Sequence, residues 1–412
     1  MYAANRGARY RARRSTHWLT ADRIVPYSCA MLVLIALTLG AWAWTTHGFT
    51  ANTAIRPGVD FAVFWTASDL ILHGQVATIY DFHRFSQAEL LRFGAYLHNG
   101  FLPWLYPPTM LPLVVPFAFV PFLPAFFLFF AGSFLCYARG VAGLSGLRTH
   151  LARPHAVTLA VLAFPGVFVA IVSGQNGLLT AGIAALALRH LERRPVVAGL
   201  LVSLLAIKPQ LALLFPLVLI ATRNWRAFGA AAAGTVLFAG ASVALGGGTA
   251  LRGFANGMSL AREMVVEYGL SYWQVSPSPF AALRLAGASL PLAYAAQAAV
   301  ALIAATAAVA VWHRTRDMRL RGAALAVATL LTTPYLWHYE LPWLGIAVFC
   351  VVAYGLDEGW LPGDQPVIVL AWLLPAFEFV NRLLLLPQFG PVVLLSLLFV
   401  VVRRAALAPR AA

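Results

Sequence analysis

Apolar segments long enough to cross a bilayer recur from Ile24 almost to Ala412, and the turns between them are short. A chain with that pattern must satisfy its backbone hydrogen bonds inside each crossing, which leaves helices or a closed barrel. The runs are continuous rather than alternating apolar and polar, so the reading is all-α and polytopic. Charged residues make up 10% of the 412, against 61% hydrophobic, and the mean hydropathy is +0.79. Soluble domains carry about 25% charged residues. No stretch is long and polar enough for a separate soluble catalytic domain. No strand–GxGxxG–helix pattern appears, which argues against a nucleotide-sugar domain of the Rossmann kind.

The formal charge of +15 comes almost wholly from arginines in short segments between apolar runs. That is the positive-inside pattern of a membrane protein, so the cations report topology and anionic lipid rather than nucleic acid. Arg6, Arg9, Arg11, Arg13, Arg14 and Arg23 place residues 1–23 in the cytoplasm as a basic tail. A first span from Ile24 to Thr46 then delivers the loop 47–104 to the outside. Arg189, Arg193 and Arg194, then Arg223 and Arg226, then Arg314, Arg316, Arg319 and Arg321 mark three cytoplasmic turns, and Arg403 and Arg404 precede a short cytoplasmic tail, 405–412. Residues 24–404 read as one polytopic domain of about twelve transmembrane helices. The proline-rich stretch Pro107 to Tyr137 is one kinked span or a broken helix pair. Gly177 to His190 is short for a full crossing, so discontinuous or tilted helices are expected. Cys29, Cys136 and Cys350 each lie in apolar surroundings and imply neither disulfide nor metal. Ile24 to Thr46 is long for a cleavable signal and lacks a small-residue cleavage site.

The same topology puts the polar turns on the outer side: Gly174-Gln175-Asn176, Lys208-Pro209-Gln210, the loop 246–279 and Thr332 to Glu340. Asp60, Asp69 and Tyr80-Asp81 in the first loop share that side. Phe61 to Leu72 spaces Phe61, Phe64, Trp65, Ser68 and Leu72 as an amphipathic helix on the membrane, or equally as a packed cap. Lys208 is the chain's only lysine and lies between apolar runs. It reads either as a snorkelling residue at a helix end or as a seat for an anion. Gln175 and Asn176 fit a tight turn or the amide rim of a polar cavity. Trp273-Gln274-Val275-Ser276 fits an interfacial anchor or a sugar platform. His338 and Glu340 cannot share one helix face but can converge from a loop. No metal-ligand spacing, nucleophile elbow or P-loop is present.

Taken in order, Gly58-Val59-Asp60-Phe61 with Gly74 and Tyr80-Asp81, Tyr106-Pro107-Pro108, Gly174-Gln175-Asn176, Ala206-Ile207-Lys208-Pro209-Gln210, Gln274-Val275-Ser276 and Thr333-Pro334-Tyr335 through Tyr339-Glu340 resemble glycosyltransferase family 87, over roughly 60–344. These are polytopic type C enzymes that include polyprenol-phosphate-mannose-dependent α-1,2-mannosyltransferases. The resemblance implies a hexosyltransferase of the bacterial plasma membrane, facing outward. Its donor would be a polyprenyl-phosphate sugar, its acceptor a glycolipid or glycan, and it would need no cofactor. Asp60 would be the catalytic base. Lys208, with Arg284 or Arg56, would steady the departing phosphate. Gln175, Asn176, Gln274, Ser276, His338, Glu340, Asp69 and Tyr106 would line the substrate site. At Tyr339-Glu340 the chain departs from the Tyr-Asp or His pair of that pattern. A lipid flippase or solute transporter is the alternative from another class; intramembrane Lys208 and broken helices suit it, whereas polar turns gathered on one side do not.

Overall fold

A computed structural model describes residues 17–49, 56–94, 97 and 102–408. The tail arginines Arg6 to Arg14 and the last four residues of the C-terminal tail lie outside these. Every regular element among the described residues is helical. Among the described residues six helices are long and apolar enough to cross a membrane: α1 (Ala21–Thr45), α2 (Phe122–Ser145), α3 (Trp225–Glu267), α4 (Leu290–Arg314), α5 (Asp364–Leu384) and α6 (Gly390–Leu407). A seventh crossing is counted if His155–Leu162 and Pro165–Ser173, bent by 59° to each other, form one span.

The sequence reading expected about twelve crossings, and the difference has a physical cause. Gly177–His190, Pro195–Ile207 and Pro209–Ala221 are apolar but have 10–17 residues. At 1.5 Å per residue they fall short of a hydrocarbon core of about 30 Å. Met318–Thr332 and Pro342–Glu358, of 15 and 17 residues, are short as well. Each begins or ends at one of the polar turns singled out above. Proline and glycine cut the segments there, at Gly174, Pro209, Pro334 and Pro342, and the polar groups sit at the cut ends. The stretch Pro107 to Tyr137 is likewise broken, into short turns over Pro108–Phe119 followed by α2.

Small residues let the short helices pack deep in the bundle. A methyl group added at Gly182 would lie 2.7 Å from Tyr137 N, and one at Gly140 would lie 2.8 Å from the Ala185 methyl. The short helix and α2 therefore touch backbone to backbone, as helices do where apolar burial offers no driving force. Gly199 against Ala227 does the same for Pro195–Ser203 and α3.

Contacts sort the helix ends into two poles. At one, Arg403 and Arg404 both pair with Asp364, and Arg319 pairs with Asp317 and Asp357. His150 Nε2 lies 3.2 Å from Asp357, and Trp360 donates to Leu19 O. The basic turn 314–321 meets the C-terminal arginines here, with Arg314 donating to Ala406 O. At the other pole lie the polar turns.

The first loop takes the second of the two forms its spacing allows. Phe61–Leu72 does not float on a surface: Phe61, Ala62, Val63, Phe64, Thr66, Ala67, Ser68 and Leu70 are all buried. Trp65 Nε1 donates to Val120 O, Ser68 Oγ donates to Val115 O, and Ser68 Oγ accepts from Ala118 N. The helix is a packed cap held by the proline-broken segment. Phe82–Phe93 beyond it is amphipathic, burying Phe85 and Ala88 while exposing Leu91.

Candidate active site

The turn carrying Asp60 is pinned from a distance. Gly58 N donates to Val172 O at 2.6 Å, and Asp60 N donates to Ser173 O at 3.2 Å. Both acceptors are at the end of the Pro165–Ser173 helix, whose terminal carbonyls are free to take such bonds. Gly174 closes that helix at φ +81°. A side chain there would lie 2.7 Å from Gly58 O and from Phe61 N, so only glycine admits both the turn and the approach. Beneath Asp60, the Phe61 ring packs against Phe117, Phe122, Phe126 and Phe129 at 5.1–5.7 Å.

Gln175 Nε2 donates to Asp60 Oδ2 at 2.8 Å, and Tyr106 OH donates to Gln175 Oε1 at 2.6 Å. The tyrosine thus fixes which way the amide points. No hydrogen bond engages Asp60 Oδ1 among the described residues. Burial pushes the Asp60 carboxyl up to about 6; the Gln175 amide and the charges of Lys208 and Arg382 pull the other way.

Lys208 sits where Pro209 breaks its helix, between two 3₁₀ turns. Its Nζ is 3.0 Å from Glu340 Oε1, with side chains 4% and 0% exposed. Glu340 Oε2 accepts from Trp337 N at 3.0 Å. Nζ also lies 5.6 Å from the Tyr106 ring and 5.0 Å from the Tyr339 ring. The pair joins residues 132 positions apart, and Tyr106 links it to the Gln175–Asp60 chain. On one side a cavity of about 730 Å³ opens, lined by Tyr106, Lys208, Tyr335, Tyr339, Phe254 and Met258. Tyr272 holds its wall, donating to Pro334 O and accepting from Leu336 N, with Trp337 4.8 Å from its ring.

His338 leaves the same short turn in another direction, its ring 6.1 Å from Phe379 of α5. Burial, then Arg382, depress the imidazole to about 3, so it is uncharged. Its Nδ1 is buried without a partner. Arg382, in the last turn of α5, went unnoticed in the sequence because a cation at a span end is ordinary there.

The remaining candidates are placed elsewhere or differently. Asp69 is paired with Arg92 and lies 3.4 Å from His73, bracing the cap. Asn176 packs against Met110, with Oδ1 buried and unpartnered. Arg284 stacks 4.8 Å from the Trp273 ring and donates to Ala288 O. Gln274 is held by its carbonyl, which accepts from Asn381 and Gln388. Ser276 Oγ is 2.9 Å from Ser278 Oγ. These last three come from the stretch 273–285, whose Trp273, Phe280 and Ala281 pack in an apolar cluster with Tyr272. Among the described residues no group of three or more His, Cys, Asp or Glu could hold a metal ion.

Residues 104–334, more than half of the chain, match the model of glycosyltransferase family 87. The chain belongs to that family. It is therefore a membrane glycosyltransferase, and the resemblance read from its motifs holds at that level. Asp60 precedes the matched segment, while His338, Glu340 and Arg382 follow it. No curated protein and no solved structure matches the chain.

Proposed function

We propose that this transferase moves a hexose, mannose by family resemblance, from a polyprenyl phosphate to a hydroxyl of a glycolipid or glycan. The single polytopic domain, 24–404, would work at the outer face of a bacterial plasma membrane. The observation that carries the reading is Asp60, fixed through one oxygen by Gln175 with its other oxygen open, and electrostatically flanked by Lys208.

In this scheme the acceptor hydroxyl lies against Asp60 Oδ1 and gives up its proton as its oxygen attacks the anomeric carbon. The bond from that carbon to the phosphate oxygen breaks, polyprenyl phosphate departs with the electron pair, and the anomeric configuration inverts. General-base help of this kind contributes about 10²–10⁴ in rate. The mostly apolar cavity beside Lys208 suits a prenyl chain entering from the bilayer. Lys208 spends one of its three donors on Glu340, so the others can meet the phosphate as negative charge grows on it. A phosphate monoester is a good leaving group, so the reading needs no metal cofactor. Outside the cytoplasm no nucleotide sugar is supplied, and a lipid carrier is the natural donor. Family membership favours this reading over a flippase.

The test is transfer by membranes containing the protein, using labelled polyprenyl-phosphate mannose, glucose and galactose in parallel with a lipid extract as acceptor. A product of inverted configuration from one of them is the expected result. Absence of product with every donor, with lipid flipping by the purified protein in liposomes, would overturn it.

A further inference from the structure

The helix Phe82–Phe93 ties together two segments that meet at Asp60. Its Arg92 Nε donates to Asp69 Oδ2 at 2.7 Å, and Asp69 belongs to Phe61–Leu72, the helix that Asp60 opens. Three residues before Arg92, on the same flank, Glu89 Oε2 accepts from Leu102 N at 2.8 Å. Leu102 lies four residues ahead of Tyr106. One turn before Glu89, the Phe85 ring sits 6.4 Å from that of Trp104, and Trp104 lies 5.3 Å from the Tyr106 ring. The Tyr106 hydroxyl then orients Gln175, whose amide holds Asp60. One short helix is thus a strut between the Asp60 helix and the segment that aims Asp60.

The two ends of the strut are made differently. Arg92 and Asp69 form a half-buried ion pair, whereas Glu89 is fully buried and its other oxygen, Oε1, has no partner among the described residues. Burial pushes the Glu89 carboxyl up to about 8; the Leu102 amide pulls it down, and the charge of Asp60 adds to the rise. At neutral pH the acid is therefore mostly uncharged and accepts from Leu102 through one oxygen. The other carboxylates nearby have local partners: Asp81 caps the helix by accepting from Arg84 N, and Asp69 holds Arg92. A carboxyl buried for a single backbone hydrogen bond contributes little net stability. What it fixes is geometry, namely where Leu102, and with it Tyr106, leaves the cap.

We infer that Glu89 is a positioning residue for the transfer reaction: by holding Leu102 it sets the Trp104–Tyr106 stack, and through Tyr106 the Gln175 amide that aims Asp60. The catalytic part of this assignment rests on the transferase reading above; the strut itself does not. Gln175 meets Asp60 through one oxygen only, so a shift of Tyr106 swings the amide and turns Asp60 Oδ1 away from the acceptor. A misplacement of about 1 Å at such a group costs on the order of 10²-fold in rate. Lys208 is held by Glu340 in the meantime, so the donor's seat stays in place and the loss falls on kcat.

Two readouts test the assignment, one of them independent of catalysis. In hydrogen–deuterium exchange of the full-length protein in nanodiscs, peptides spanning 102–106 should exchange about tenfold faster in Glu89→Leu and Glu89→Met than in wild type, as for loss of one hydrogen bond. Glu89→Gln keeps the acceptor and should stay protected. In transfer assays normalised to folded protein, Glu89→Leu should lower kcat about 10- to 100-fold with the donor KM within about twofold, and Glu89→Gln should stay within about threefold of wild type. Tyr106→Phe tests the path: in that background Glu89→Leu should cost less than about threefold more. Unchanged exchange at 102–106 in both Glu89→Leu and Glu89→Met, a Glu89→Gln as impaired as Glu89→Leu, or losses that multiply in the Tyr106→Phe background would overturn the assignment. Failure of the wild type to transfer any sugar would sink the transferase reading, and the exchange result would still decide whether Glu89 holds the segment.

Discussion

Removing the ammonium of Lys208 strands a carboxylate that has no route to water. In Lys208→Met, the side chain of Glu340 stays 0% exposed and keeps only its bond from Trp337 N. Breaking one partner of a buried pair costs about 3–5 kcal/mol, because the desolvation penalty of the survivor is no longer offset. Glu340→Gln keeps an acceptor for Trp337 N and strands the ammonium, so its loss should be of the same size. The double variant has neither charge. It should therefore lie within about 1–2 kcal/mol of wild type, giving a coupling energy of several kcal/mol. Unfolding free energies from SDS titration in mixed micelles would measure all four proteins. Transfer should be lost in the double variant despite its stability, since the other cation lining the cavity, Arg262, is paired with Glu267. Losses that add within about 0.5 kcal/mol would refute the pair.

Three further outcomes are expected. Gly174→Ala forces a side chain into the left-handed region against Gly58 O and Phe61 N; the displaced Asp60 turn should lower kcat about 10²-fold, read by transfer assay alongside a melting curve. Activity should fall about tenfold per pH unit below about 6, as Asp60 takes up the proton that disables it as a base, with Gln175, Lys208 and Arg382 as the groups acting on it. Stability has the opposite sense: because burial raises its folded value, Asp60 contributes stability in acid that is lost as pH rises through about 6. Asp60→Asn should thus gain melting temperature over wild type between pH 4 and pH 8, and a constant difference across that range would contradict the burial.

Composition and the long apolar runs carry the all-helical, membrane-embedded architecture, because a bilayer leaves a chain few options. Periodicity carries less at the breaks. The short helices look like crossings to a hydropathy window, and only their cut ends reveal that they stop at the polar turns. Asp60, Gln175, Lys208 and Glu340 stand out as polar groups between apolar runs, Tyr106 enters only with the family resemblance, and the structure brings the five together. Their pairing was not legible, since nothing local connects Lys208 to a glutamate 132 positions away. Asp69 carries the same chemistry as Asp60 but is spent on Arg92, a distinction that depends on where Phe82–Phe93 folds back. Gln274 acts through its backbone, which side-chain reasoning does not reach. Arg382 is hidden by the ordinariness of a cation at a helix end, and its place over the Phe379 ring that also meets His338 is a fact of the fold alone.

The most direct measurement is initial-rate transfer from the cognate labelled polyprenyl-phosphate sugar by wild type and Asp60→Asn, at matched amounts of inserted protein. The account predicts a loss of at least about 10²-fold in the variant, with insertion intact and a melting temperature no lower than that of wild type. Transfer by Asp60→Asn within a fewfold of wild type would contradict it.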